Sequence, residues 1–183
     1  MRKIKNPVSM VHKGKKWEAF PEYNVEIGYD LGVGDWVSPN GRGKSADFVF
    51  KTRKTENPSR AEYVLSFSNP GDGILEYQFP ENLKSSFKWP YVAPEAGYDN
   101  KLEKYKVYKI PSRPETNLKR TVNYIFRVRT QMDEDGNIIA ACYGRISGEI
   151  ELTTDGKYQF GYWFNPDSSS RSLEYNGVNL LKK

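Results

Sequence analysis

The 183-residue sequence predicts an all-β fold, an antiparallel β-sandwich of jelly-roll type with about eight or nine strands in one domain. Three observations predict it. Apolar and polar residues alternate in segment after segment, Asp-Gly pairs sit between those segments, and aromatic residues reach 14% of the chain. Alternation has the two-residue period of a strand buried on one face. Asp-Gly favours tight hairpin turns. Tyr, Phe and Trp suit the half-buried pleated surface of a sheet. No window of a dozen residues carries a helical apolar stripe.

Taken in order, residues 1–20 form a basic N-terminal segment (Arg2, Lys3, Lys5, Lys13, Lys15, Lys16) expected to be mobile. Residues 21–183 then form the sandwich domain. In YNVEIGYDL, Tyr23, Val25, Ile27, Tyr29 and Leu31 share one face. The same period recurs in ADFVFKTR (Phe48, Phe50), AEYVLSFS (Tyr63, Leu65, Phe67), ILEYQF (Leu75, Tyr77, Phe79) and TVNYIFRVRT (Val122, Tyr124, Phe126, Val128). NPGDG, DEDGN and TTDGK supply the turns, and a Pro-rich stretch from Pro80 to Asn100 is irregular.

Parity registers the last strands, because a one-residue slip turns every side chain to the other face. Across Asp133–Asn137 it sets Val128 opposite Cys142 and Phe126 opposite Gly144. Across Thr153–Lys157 it sets Leu152 opposite Tyr158 and Ile150 opposite Phe160, with Trp163 beside Ser147. Cys142 then faces the core, where a thiol acts as a small hydrophobe.

Several chemistries are excluded or weakened by counting. One cysteine rules out an intramolecular disulfide, and one histidine, His12, leaves little for a zinc site or a Ser-His-Asp triad. No cofactor is expected. No run nears the roughly 20 apolar residues of a membrane helix. No signal-peptide pattern opens the chain, so a cytoplasmic protein and a mature secreted domain both fit. The net charge of +5 is spread among acids, which weighs against a nucleic-acid partner.

Gly-Arg-Gly-Lys-Ser at 41–45 matches the end of a phosphate-binding loop, but Ser38 replaces its first glycine and a strand follows where a helix is needed. Gly41 and Gly43 read instead as a flexible connection. Gly32-Val33-Gly34 lacks the third glycine of a dinucleotide fingerprint, since position 37 is valine. Asp133, Asp135 and Asn137 have calcium-loop spacing, the alternative to a hairpin turn, but Gly144 stands where the bidentate Glu belongs.

Glu149 and Glu151, two residues apart and so roughly 7 Å apart along a strand, could serve a jelly-roll glycosidase or lyase as acid and base. No third acid follows them. The outer face left by parity holds Arg127, Arg129, Tyr143, Arg145, Ser147, Glu149, Glu151 and Trp163. From it we read an aromatic platform of Trp163, Tyr143, Arg145 and Arg127, suited to stacking sugar rings and bonding their hydroxyls. The leading expectation is therefore a non-catalytic binding module with a polysaccharide or glycan ligand. The competing expectations are the Glu149/Glu151 enzyme and an interaction domain packing its outer sheet on a protein partner or second copy. A loop carrying Trp89 and Tyr91 over the platform is the alternative to an open face.

Overall fold

The computed structural model describes residues 5–80, 88–109 and 113–181. Its strands are β1 (Val8–Lys13), β2 (Glu18–Ala19), β3 (Glu26–Asp30), β4 (Asp35–Trp36), β5 (Phe48–Glu56), β6 (Ser59–Ser66), β7 (Gly73–Tyr77), β8 (Lys101–Tyr108), β9 (Pro114–Thr116), β10 (Asn123–Met132), β11 (Ile138–Ile146), β12 (Glu151–Leu152), β13 (Lys157–Gln159), β14 (Tyr162–Asn165) and β15 (Tyr175–Asn179). Nine have five residues or more, and the alternation marks β3, β5, β6, β7 and β10 among them; the other six have two to four residues. No helix occurs among the described residues.

Two six-stranded sheets, β15-β1-β14-β11-β10-β7 and β4-β3-β5-β6-β8-β9, pack face to face, and a short sheet, β12-β13-β2, adds Leu152 and Tyr158 to their common core. Every ladder between these strands is antiparallel except β1 with β15. The inner faces meet in an aromatic core. Phe48 on β5 meets Phe126 on β10 edge-on at 5.1 Å, and Phe160 bridges Phe50 and Tyr162. Edge-to-face contacts match the ring quadrupoles as well as burying area.

The β10–β11 register is the one parity predicts: Val128 faces Cys142 and Phe126 faces Gly144. Glycine is required there, because an added Cβ would lie 2.2 Å from the Phe126 ring. Cys142 is buried, its Sγ donates to the Pro166 carbonyl at 3.5 Å, and burial pushes its thiol up to about 11. Leu152 faces Tyr158 as predicted. Ile150 and Phe160 are both buried but lie outside that ladder.

Three expectations need correction. From residue 8 on, the N-terminal segment is part of the fold and not a free arm: β1 runs between β14 and β15, and Met10, Val11 and Phe20 are buried. The flanking charges hid a strand that is fully buried only at its centre. Val25 is exposed, because Asn24 turns with φ of 63° and the strand starts only at Glu26. Trp163 pairs with Arg145 and not Ser147. The chain leaves β11 at Ile146, turns at Gly148 (φ 81°) and resumes as β12, which slips the pairing by two residues. An even slip keeps Trp163 on the outer side.

Candidate functional site

The outer face of the first sheet was the expected site, and its residues do assemble there. Arg127 pairs with Tyr143, and Arg145 pairs with Trp163. The face is closed, however. Residues 88–99 lie across it, tied down by Ala93 N–H to the Arg171 carbonyl and Leu173 N–H to the Tyr91 carbonyl. Trp89, Ala93 and Leu173 pack with Ile125, Ala141 and Tyr143 into a second apolar cluster. Arg127 donates to the carbonyls of Gly71 (2.6 Å) and Glu95 (2.9 Å), under the Tyr98 ring. Arg127, Tyr143 and Arg145 are buried, and burial pulls the Arg145 guanidinium down to about 10.

Trp163 is half-buried, with both ring faces occupied. His12 on β1 stacks on one side at 4.3 Å and Arg145 on β11 covers the other at 4.4 Å. A sugar needs one free ring face, and this indole has none. The loop holding Trp89 and Tyr91, the alternative to an open face, covers Tyr143, Arg127 and Arg145, whereas Trp163 is covered by His12 and Arg145.

Arg129 also departs from the predicted face. It has φ of 56° at a β-bulge after Val128, and this turns its guanidinium toward Asp47 (2.7 and 2.9 Å) and Asp30 (3.3 Å). Burial raises the pKa of Asp47, and the Asp47 hydrogen bond raises that of Arg129. Asp30 explains Gly-Arg-Gly-Lys-Ser. Its Oδ2 accepts from the amides of Lys44 (2.9 Å) and Ser45 (3.1 Å), its Oδ1 from Gly32 and Val33. The loop does hold an anion, and the anion is the chain's own carboxylate. The glycines are tight rather than flexible: a Cβ on Gly41 would lie 2.4 Å from the Trp36 carbonyl, and one on Gly43 2.7 Å from Asp30 Cβ.

Asp133 is likewise used internally. It accepts from the amides of Asp135 and Asn137 and from the Asn137 side chain, closing the hairpin turn. Among the described residues no group of three His, Cys, Asp or Glu side chains is placed to hold a metal ion.

Glu149 and Glu151 both line a cleft of about 520 Å³. Its walls are the β1–β2 connection (Lys15, Trp17), β8 (Lys106), the β9 region (Pro114, Thr116, Leu118, Lys119, Arg120) and the crossover into β12. Glu149 is buried and saturated. Its Oε2 accepts from Lys104 Nζ (3.0 Å) and the Lys119 amide (2.8 Å), and its Oε1 from the Tyr124 hydroxyl and the Ile150 amide. Four donors fill the four lone-pair sites of a carboxylate, so neither oxygen is open to a substrate. Glu151 is partly exposed and pairs with Lys15 at 3.1 Å.

At the mouth of this cleft stands Trp17, 43% exposed. A tryptophan normally gains by burial, so its position is the most unusual apolar feature of the cleft. Comparison with family models, curated proteins and solved structures finds no match. Trp17 was missed in the sequence because it sits outside any alternating run. Its signal was there in Lys-Gly-Lys-Lys-Trp, an aromatic ending a basic run just after a strand.

Proposed function

We propose that this protein is a non-catalytic glycan-binding module whose ligand lies in the cleft beneath Trp17. The observation that carries the reading is the exposed indole at the rim of a concave site with polar and charged walls. A sugar ring can lay its C–H face on that indole while Thr116, Thr153 and the lysines bond its hydroxyls. The saturation of Glu149 supports binding over hydrolysis. Its hydrogen bonds hold the floor of the cleft and leave Glu151 without a partner acid. The cleft is favoured over the outer-sheet platform because Trp163 is sandwiched between His12 and Arg145, whereas Trp17 is exposed.

The test is a glycan array followed by calorimetry, comparing the native protein with Trp17→Ala. The native protein should bind at least one glycan class. The variant should melt as the native protein does and lose affinity by roughly tenfold or more, the 1.4 kcal/mol or so expected for lost stacking. Unchanged affinity in the variant would remove Trp17 from the site and this reading with it.

A further inference from the structure

We infer that the cleft selects glycans bearing carboxylate or sulfate groups, an inference that rests on the glycan reading above. Four cations line it: Lys15, Lys106, Lys119 and Arg120. Of its two carboxylates, Glu149 is already neutralised by Lys104 behind the wall. Only Glu151 faces the four, and it is engaged by Lys15. Lys119 is paired with Glu76, which stands outside the cleft lining.

Lys106 and Arg120 have no acidic partner among the described residues. On the second sheet, Lys51 is paired with Glu26 and Arg53 with Glu62. Like charges brought together over apolar walls (Pro114, Leu118, Leu152) repel one another, and their field is focused by the concave shape. A ligand that brings its own anions relieves that repulsion; a neutral sugar does not. Guanidinium groups bind carboxylate and sulfate oxygens through parallel N–H donors, which gives Arg120 a directional role, while Lys106 acts as a point charge.

A strand of nucleic acid is also anionic, but it stacks successive bases on a row of aromatics along a groove. Trp17 is the only aromatic side chain lining this cleft among the described residues. An acidic polysaccharide needs only one stacked ring between charge contacts.

The experiment is calorimetric titration of the full chain with a uronic-acid oligomer, a sulfated oligosaccharide, a neutral oligosaccharide of similar length and a single-stranded oligonucleotide. Each is run at about 50 mM and about 300 mM salt, where the screening length falls well below 10 Å. Both acidic glycans, or one of them, should bind about tenfold or more tighter than the neutral sugar and weaken about tenfold at the higher salt. The Lys106→Ala/Arg120→Ala double variant should lose that advantage while retaining its melting temperature. Neutral and acidic sugars binding equally, both lost in Trp17→Ala, would overturn the charge inference and leave the glycan reading intact. Binding of no glycan would overturn both. Preferential oligonucleotide binding would overturn the inference. So would self-association that the double variant abolishes, since the cleft would then be receiving the acidic hairpin of a second copy (Glu134, Asp135).

Discussion

His12 lies flat on Trp163, ring planes 8° apart and centroids 4.3 Å apart, across the β1–β14 pair. The relationship continues across the sheet. Arg145 covers the far side of Trp163, Trp89 lies against Arg145 at 5.1 Å, and Tyr77 stacks on Trp89 at 5.6 Å. This row holds residues 88–99 to the outer face, with the Arg145 guanidinium between the Trp163 and Trp89 rings.

Trp163→Ala should therefore be a stability variant. We expect a loss of about 2–3 kcal/mol in urea unfolding, somewhat below that of a fully buried Trp truncation. On the proposed reading, glycan affinity in the cleft should stay unchanged in the folded fraction. A neutral effect on stability combined with lost glycan binding would restore Trp163 as the ligand residue.

Lys104 and Glu149 form a buried pair at 3.0 Å, with side chains only 2% and 5% exposed. It joins β8 of one sheet to the crossover leaving the other. Lys104→Met alone should cost about 3–5 kcal/mol, because it strands a desolvated carboxylate. The double variant Lys104→Met/Glu149→Leu should cost clearly less than the sum of the two single changes. Additive costs would mean that the two residues act independently, against the shared hydrogen bond.

Most of the sandwich was legible in the sequence, and the reason lies in particular residues. Leu152 and Tyr158 sit directly beside an Asp-Gly hairpin, where register follows from parity; Val128 and Cys142 lie farther from theirs, and the two register shifts between them and the turn cancel. Lys104 was not legible as a core residue, since nothing local announces that Glu149, 45 residues away, will meet it. The closed outer face was invisible for the same reason. Ile125 and Tyr143 occupy positions that alternation leaves to solvent, and only the long-range return of Trp89 and Leu173 buries them. Such a cover carries no period, so pattern reading found the face and not its covering.

Asp30 gives a third prediction. Its carboxylate satisfies four backbone amides and meets Arg129, and it is almost fully buried. Asp30→Ala should cost about 3 kcal/mol or more, the scale for orphaning buried donors to a charged acceptor. Lys44→Ala should stay within about 0.5 kcal/mol, because only the Lys44 amide is used and its side chain is exposed. The native protein should retain no ATP, its amides being occupied. Micromolar ATP binding that disappears in Lys44→Ala would show that the loop accepts an external phosphate after all.

The last prediction concerns alkaline pH. Burial, first among the causes in each case, raises the phenol pKa values of Tyr29, Tyr63, Tyr124, Tyr158 and Tyr162 above the usual value of 10. Tyr124 is raised further by the Glu149 carboxylate it bonds. A folded pKa above the unfolded one means that the folded chain holds these protons more tightly. Their contribution is thus fully present below pH 10 and is lost as pH rises beyond it. Each tyrosine that stays protonated in the fold and ionises on unfolding removes about 1.4 kcal/mol per pH unit above about pH 10. Five acting together would erase an ordinary domain's stability, of about 5–15 kcal/mol, within one or two pH units. We expect tyrosinate absorption from these residues to appear in one cooperative step, together with loss of the sheet signal in circular dichroism. Smooth, independent titration of all thirteen tyrosines near pH 10 with the fold intact would mean that the aromatic core is open to water, and the packing of the two sheets would have to be redrawn.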